Sequence, residues 1–140
     1  MDEFEIQVAK IKGENEKYLE MFAHHLESQG LKNKTINRHV FNVDFYINDY
    51  LCYYEPLRID QGSEPLHHFF SSWFIRKAMW SSKATINSTA ASIKKFYKFM
   101  AEAGIVKPEV YQEIAETIKT YKELWYEYLE EYESGGFSIF

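Results

Sequence analysis

Residues 81–104 read SSKATINSTAASIKKFYKFMAEAG and carry the clearest helical signal in the chain. Apolar side chains recur there at the three- and four-residue spacing of one helix face: Ile86, Ala90, Ile93, Tyr97 and Met100. The two serines at the start are typical N-caps, and Gly104 is a typical helix stop. The stretch therefore predicts an amphipathic helix with one buried face.

Four further helices are predicted around this stretch from the same periodicity and from caps and breakers. In chain order they cover about residues 14–29, 35–53, 63–80 and 108–133. Gly30 is expected to end the first, Thr35 is the expected N-cap of the second, and Pro56 lies beyond its end. The only extended piece expected is residues 57–59.

These elements predict an all-α fold, a compact bundle of four to five helices with a long C-terminal helix. A chain of 140 residues, 46% of them hydrophobic, is expected to form a single domain, here over residues 1–133. Residues 14–104 would form the bundle, 108–133 an additional acidic helix, and 134–140 a flexible tail.

Composition also limits the setting in which the chain works. Cys52 is the only cysteine, so no disulfide can form within the chain. The first residues are acidic where a signal peptide is basic, and no apolar run is long enough to span a bilayer. We therefore expect a cytoplasmic protein without a membrane partner.

Charge is distributed unevenly, although the total is −5. The net charge is −4 for residues 1–30, +5 for residues 31–100 and −6 for residues 101–140. No acidic residue occurs between Pro65 and Ala101. Such a segment can present a positive surface whatever the total charge, although a solvated surface of no functional meaning is the alternative.

Two helix starts in this positive segment are rich in Lys, Asn, Ser and Thr, a composition that suits a phosphate backbone. The candidate DNA-binding residues are Lys32, Lys34, Thr35, Asn37, Arg38, Lys83, Thr85, Asn87, Lys94, Lys95 and Lys98. Ala91, Ser88 and Ser92 lie among the last of these, and such small side chains allow a close approach to another surface. Ordinary helix capping with solubilising lysines is the competing interpretation.

Aromatic residues raise a second possibility, a protein partner. Phe41 and Phe45 lie away from the apolar stripe of the second helix, so they pack on a neighbouring helix or mark a partner surface. The fifth helix would extend nearly 40 Å at about 1.5 Å per residue. Its Trp125, Tyr128 and Tyr132 are candidate partner-binding residues, either for a second copy or for another protein.

No constellation for catalysis or metal binding is present in the sequence. The adjacent pairs His24-His25 and His67-His68 point about 100° apart on a helix, so neither pair can close on one ion alone. Cys52 has no base beside it, and the six glycines form no phosphate loop. We therefore expect no enzyme activity, no metal, no cofactor and no small-molecule substrate.

Residues 18–104 resemble the N-terminal, SAM-like core-binding domain of tyrosine recombinases, the phage-integrase family. The resemblance rests on FAHHLESQGLKNKTINRHVFNVDFYINDYL at residues 22–51 and SSKATINSTAASIKKFYKFMAEAGIV at residues 81–106. It implies a four-helix domain whose second and fourth helices face duplex DNA. The catalytic residues of that family are not expected in this sequence, because the 35 residues after Ile105 contain no Arg and no His.

Two functional hypotheses follow from the sequence. The first is a non-catalytic DNA-binding module of the kind used in site-specific recombination and DNA integration, which grips duplex DNA through phosphates. The second is a protein-interaction or dimerisation module that uses the acidic, aromatic C-terminal helix.

Overall fold

A computed structural model describes residues 1–135, and 78% helix with no strand among them confirms the all-α prediction. Helix α1 spans Glu3–Ser28. Helix α2 spans Asn33–Asp44 and continues as a wider, π-helical turn over Phe45–Tyr50. A short 3-10 turn, Ile59–Gln61, precedes α3.

Helix α3 consists of three consecutive segments, Leu66–His68, Phe69–Trp73 and Phe74–Lys77, of which the second is π-helical. Helix α4 spans Lys83–Glu102, and helix α5 spans Pro108–Glu133. Ser82 caps α4 as expected, since its hydroxyl accepts a hydrogen bond from the Thr85 N–H.

Three helix starts differ from the sequence-based prediction, and one of them is that of α3, which begins at Leu66 and not near residue 63. Helix α1 begins before residue 14, at Glu3, because the side chain of Asp2 accepts a hydrogen bond from the Glu5 N–H at 2.8 Å. Its first turns were missed because they are exposed and carry no buried stripe. The prediction of Thr35 as an N-cap is wrong: α2 begins at Asn33, after Lys32, whose side chain makes no capping bond.

Helix α4 lies at the centre of the bundle, between α2 on one edge and α5 on the other. The ring of Phe22 in α1 meets Phe96 of α4 edge-on, with ring centroids 5.3 Å apart. The apolar stripe that predicted α4 is buried throughout, which places this helix in contact with most of the core. Its two long edges are therefore set by different neighbours.

Aromatic rings fill the space between α2 and α3. Both helices widen into π-helical turns there, and the Leu51 N–H bonds the Tyr46 carbonyl five residues back. Phe45 packs on Phe69 and on Trp73, with ring centroids 6.1 and 5.3 Å apart. The prediction that Phe45 packs on a neighbouring helix is thus confirmed.

The connection before α3 is held by two buried tyrosines. The Tyr46 hydroxyl donates to the Gly62 carbonyl at 2.6 Å, and the Tyr97 hydroxyl donates to the Ile59 carbonyl at 2.7 Å. A Cβ at Gly62 would collide with the Tyr97 hydroxyl oxygen, so only glycine fits. The expectation of an extended piece over residues 57–59 is therefore wrong at its end, where Ile59 begins the 3-10 turn.

Helix α5 packs against the bundle along most of its length. Its buried residues run from Ile114 near the start to Leu129 near the end, which also assigns the second half of the helix to the domain. Ser134 and Gly135 form a turn after it, and the rest of the expected tail lies outside the described residues. Within residues 1–135 no helix combines the length and hydropathy needed to cross a membrane.

Candidate nucleic-acid interface

The outward face of α2 is basic and polar. Lys34, Asn37, Arg38 and Phe41 are all exposed. Asn37 and Arg38 lie three and four residues after Lys34 and four and three residues before Phe41, so the four share one face of the helix. No acidic residue occurs from residue 31 to residue 43. Four of the side chains that the sequence suggested or weighed for a partner therefore stand together on one helix surface.

The outward face of α4 continues this surface. Asn87, Ala91, Lys94 and Lys98 are exposed at spacings of four, three and four residues, and Lys95 is exposed beside them. Helix α4 contacts α2 directly. The sequence has no acidic residue from residue 31 to residue 43 in the α2 region, and none between positions 65 and 101 in the α4 region. We call the exposed residues Lys34, Asn37, Arg38, Ala91, Lys94, Lys95 and Lys98 the α2–α4 ridge.

Neutral polar side chains join α2 to α4 beneath the ridge. The Asn42 amide donates to the hydroxyls of Ser88 and Ser92, at 3.3 and 3.1 Å. Nδ1 of His39 lies 2.8 Å from the same Ser92 hydroxyl. The small side chains of Ser88 and Ser92 therefore allow a close approach to α2, and Ser92 is fully buried.

The charge of the ridge affects the pKa of His39. Burial lowers the pKa of the His39 imidazole, and the nearby charges of Arg38 and Lys95 lower it further. These two cations come from different helices, and both lie close enough to act on one buried ring. Within residues 1–135 no carboxylate lies within ion-pair distance of either. The ridge therefore holds positive charge that the described chain does not neutralise.

The opposite edge of α4 meets the acidic helix. The ammonium of Lys83 lies 3.8 Å from a Glu130 carboxylate oxygen and 5.2 Å from the centre of the Tyr126 ring. The Asn87 side-chain oxygen accepts a hydrogen bond from Lys122 at 3.0 Å. Two of the predicted DNA-binding residues, Lys83 and Asn87, are therefore already engaged by α5.

Two other predicted DNA-binding residues, Thr85 and Thr35, lie in the first turns of α4 and α2. The Thr85 hydroxyl accepts from the Ser82 N–H at 2.8 Å and lies 2.9 Å from the Trp80 carbonyl oxygen, so this side chain closes the start of α4. Thr35 is half-buried in the first turn of α2. Neither threonine is exposed as Lys34, Arg38 and Lys95 are.

The predicted partner-binding residues of α5 divide into two groups. Trp125 is fully buried; its ring stacks on Phe70 at 4.6 Å, and its N–H donates to Nδ1 of His67 at 3.1 Å. The prediction that Trp125 binds a partner is therefore wrong, because its indole forms part of the core. Tyr128 and Tyr132 line a groove of about 470 Å³ between α3 and α5.

The remaining lining residues of this groove come from α3, and most of them are polar: His67, Ser71, Ser72, Ile75 and Arg76. The Arg76 guanidinium bonds the Ser72 hydroxyl through Nε at 3.1 Å. His68 also has a structural neighbour, since its Nδ1 lies 2.7 Å from the Tyr50 hydroxyl. No group of three His, Cys, Asp or Glu side chains within residues 1–135 is arranged to hold a metal ion.

One exposed feature was missed by sequence reasoning. Trp80 and Met79, in the turn between α3 and α4, are 42% and 99% exposed, and Trp80 lies against Phe41 with ring centroids 5.7 Å apart. The sequence placed Trp80 at the end of a helix rich in buried aromatics, so nothing in its spacing distinguished it from Trp73.

No protein-family model, curated protein or solved structure matches this chain. The resemblance to the core-binding domain of tyrosine recombinases therefore remains a prediction from the residues.

Proposed function

We propose that the chain is a non-catalytic DNA-binding module that grips the phosphates of duplex DNA through the α2–α4 ridge. The observation that carries this proposal is the exposure of Arg38 on α2 and Lys95 on α4, two helices in contact, with no carboxylate within ion-pair distance of either in residues 1–135. Several uncompensated cations on adjacent helices suit a polyanion better than a single small anion. The resemblance to a recombinase core-binding domain supports the same two helices.

The acidic helix α5 determines the side from which a duplex would approach. Helix α5 carries most of the negative charge after residue 101 and lies on the far edge of α4. A duplex would be repelled from that side and attracted to the ridge, which reconciles a net charge of −5 with binding. Lys83 and Asn87 are left out of the proposed contact because α5 engages both.

Fluorescence anisotropy with a labelled duplex tests the proposal. The affinity is expected to fall steeply between about 50 and 200 mM salt, because each phosphate contact releases a counterion. Arg38→Ala with Lys95→Ala should weaken binding and reduce the slope of log K against log salt by about 2, roughly 1 for each contact.

The matched control is Lys10→Ala with Lys119→Ala, which removes the same charge from exposed positions on α1 and α5. This control should bind as tightly as the parent protein. Equal losses in both double variants would mean that net charge, and not the ridge, determines the affinity, and the proposal would then be wrong. Absence of any binding at low salt would have the same consequence.

A second candidate function is favoured by the groove between α3 and α5. Tyr128 and Tyr132 line it together with Arg76, a combination of aromatic and Arg side chains that is enriched at protein interfaces. In this proposal a second copy or another protein docks there. Light scattering tests the homodimer: a dimer lost in Tyr128→Ala but kept in the ridge variant would support it.

A further inference from the structure

The exposed rings of Phe41 and Trp80 form one apolar patch beside the ridge, which we call the aromatic platform. Phe41 is 53% exposed, and its ring lies at 58° to that of Trp80. Large exposed aromatic side chains that touch one another are unusual on a surface that has no partner. A ligand with flat apolar groups would cover the platform.

The platform is held rigidly from below. The ring of Phe45 lies 5.1 Å from that of Trp80 and is itself packed on Phe74 at 6.0 Å. The turn that carries Trp80 is closed by the Ser81 N–H, which bonds the Ala78 carbonyl at 3.1 Å. A flat ligand would find the two exposed rings already in place, which limits the entropic cost of binding.

Positive and polar side chains lie on one side of the platform. Phe41 lies one turn from Arg38 and Asn37 on the same face of α2, and Asp44, one turn from Phe41 in the other direction, accepts a hydrogen bond from Asn48. The other exposed aromatic pair, Tyr53 and Tyr54, is followed at once by Glu55. The platform continues directly into the ridge, because Phe41 shares a helix face with Arg38.

Rings beside uncompensated cations suit a strand with unpaired bases. In such complexes cationic side chains follow the backbone while successive bases stack on aromatic rings. In a paired duplex the base faces are covered by their neighbours, so the platform would have nothing to stack on. An apolar protein surface would cover the rings but would leave the neighbouring cations without partners.

We propose that the aromatic platform stacks unpaired nucleobases while the ridge holds the adjoining phosphates, so that the protein prefers nucleic acid with unpaired bases to a fully paired duplex. This inference rests on the proposed function, because it assigns the phosphates to Arg38 and Lys95. It adds a second class of contact, which neither the charge nor the recombinase resemblance requires.

Tryptophan fluorescence provides a direct readout in the full chain. Trp80 is 42% exposed, whereas Trp73 and Trp125 are buried, so a ligand that reaches only the surface quenches the emission of Trp80. Oligothymidylate and a blunt duplex of equal length are the two probes. We expect oligothymidylate to quench this emission and to bind more tightly than the duplex.

Substitutions then separate stacking from charge. Trp80→Ala and, independently, Phe41→Ala should each weaken oligothymidylate binding on the order of ten-fold while duplex binding changes little. Trp80→Phe, which keeps a ring, should retain most of the affinity. Tyr54→Ala is the matched control, since it removes an exposed ring that is followed by an acid, and it should bind as the parent does.

The outcomes distinguish this inference from the proposal on which it rests. If Arg38→Ala with Lys95→Ala weakens binding but both platform variants bind oligothymidylate normally, the stacking inference fails and the DNA-binding proposal stands. If neither probe binds at low salt, both fail. If the platform variants abolish self-association instead, the platform is a contact between copies of the chain and the inference is overturned.

Discussion

The two edges of α4 carry similar polar and cationic side chains, but one edge faces the acidic helix α5 and the other faces α2. On the α5 edge, Lys83 pairs with Glu130 and Asn87 accepts from Lys122. On the α2 edge, Asn42 and two serines form a neutral seam, and the cations above it have no acidic partner within residues 1–135. Whether a lysine on an amphipathic helix is paired or left uncompensated therefore depends on the neighbouring helix.

The two edges also differ in what holds the neighbouring helix in place. Helix α5 is attached through large buried side chains such as Trp125 and Leu129. Helix α2 is attached through apolar residues together with a buried polar network. Burial of an aromatic ring contributes more than an exposed ion pair, so the pairing of Lys83 with Glu130 is expected to follow from the docking of α5 rather than cause it.

The largest effect is expected for Trp125→Ala on the α5 edge. Loss of a fully buried indole stacked on Phe70 should lower the free energy of unfolding by about 3–5 kcal/mol, because a cavity remains in the core. Urea unfolding monitored by circular dichroism measures this. Tyr121→Ala, at an exposed position of the same helix, should cost far less. Equal losses would contradict a core role for Trp125.

A smaller loss is expected for Asn42→Ala on the α2 edge. The change removes the amide that bonds Ser88 and Ser92 and should cost roughly 1–3 kcal/mol, since buried hydroxyls lose a partner. Asn37→Ala is the matched control on the outward face of the same helix and should stay within about 0.5 kcal/mol of the parent. A neutral Asn42→Ala would show that the seam contributes nothing.

The α2 edge should also make stability depend on pH. The pKa of His39 is lowered in the folded state from its ordinary value of 6.5, so the unfolded chain binds the proton more readily. The contribution of His39 to stability is therefore complete above pH 6.5 and is lost as the pH falls through the folded-state pKa. Urea unfolding at several pH values should show this loss, and His39→Gln should reduce it.

Binding of a polyanion gives a more specific test of the same residue. Phosphates over the ridge would offset the charges of Arg38 and Lys95, so the pKa of His39 should rise when nucleic acid binds. An NMR titration of the His39 ring protons with and without oligonucleotide measures the change. A pKa that stays the same while binding occurs would place the nucleic acid away from the ridge.

The smallest effect is expected for Glu130→Gln on the α5 edge. Both side chains of the pair are largely exposed, so the loss in stability should be at most about 1 kcal/mol. The change frees Lys83 and removes a negative charge, so duplex affinity at low salt should rise slightly. A loss of several kcal/mol in urea unfolding would mean that charge, and not apolar packing, attaches α5.

Local patterns were sufficient for most of the fold. The apolar spacing of α4 and of α5, the cap at Ser82 and the stop at Gly104 each depend on residues only a few positions apart in the chain. Each was predicted in its place. The start of α1 was missed because its first turns pack against little. The π-helical turns of α2 and α3 were not predicted, since they arise where aromatic rings of the two helices meet.

The candidate site was predictable only in part. The exposure of Lys34, Arg38 and Lys95 follows from the same periodicity that buries the opposite faces of their helices. The burial of Trp125 and Ser92, and the exposure of Trp80, did not follow, because each depends on which helix lies opposite.

By itself, the sequence determined that the chain forms an amphipathic all-α bundle with an acid-free segment before residue 101 and an acidic helix after it. Only the tertiary structure decided which cations the acidic helix reaches. Periodicity specifies the face of a helix that is buried, whereas the pairing of charges depends on the packing of distant segments. Lys83 lies within reach of a carboxylate on α5, while in the described part of the chain Arg38 and Lys95 have no carboxylate within ion-pair distance.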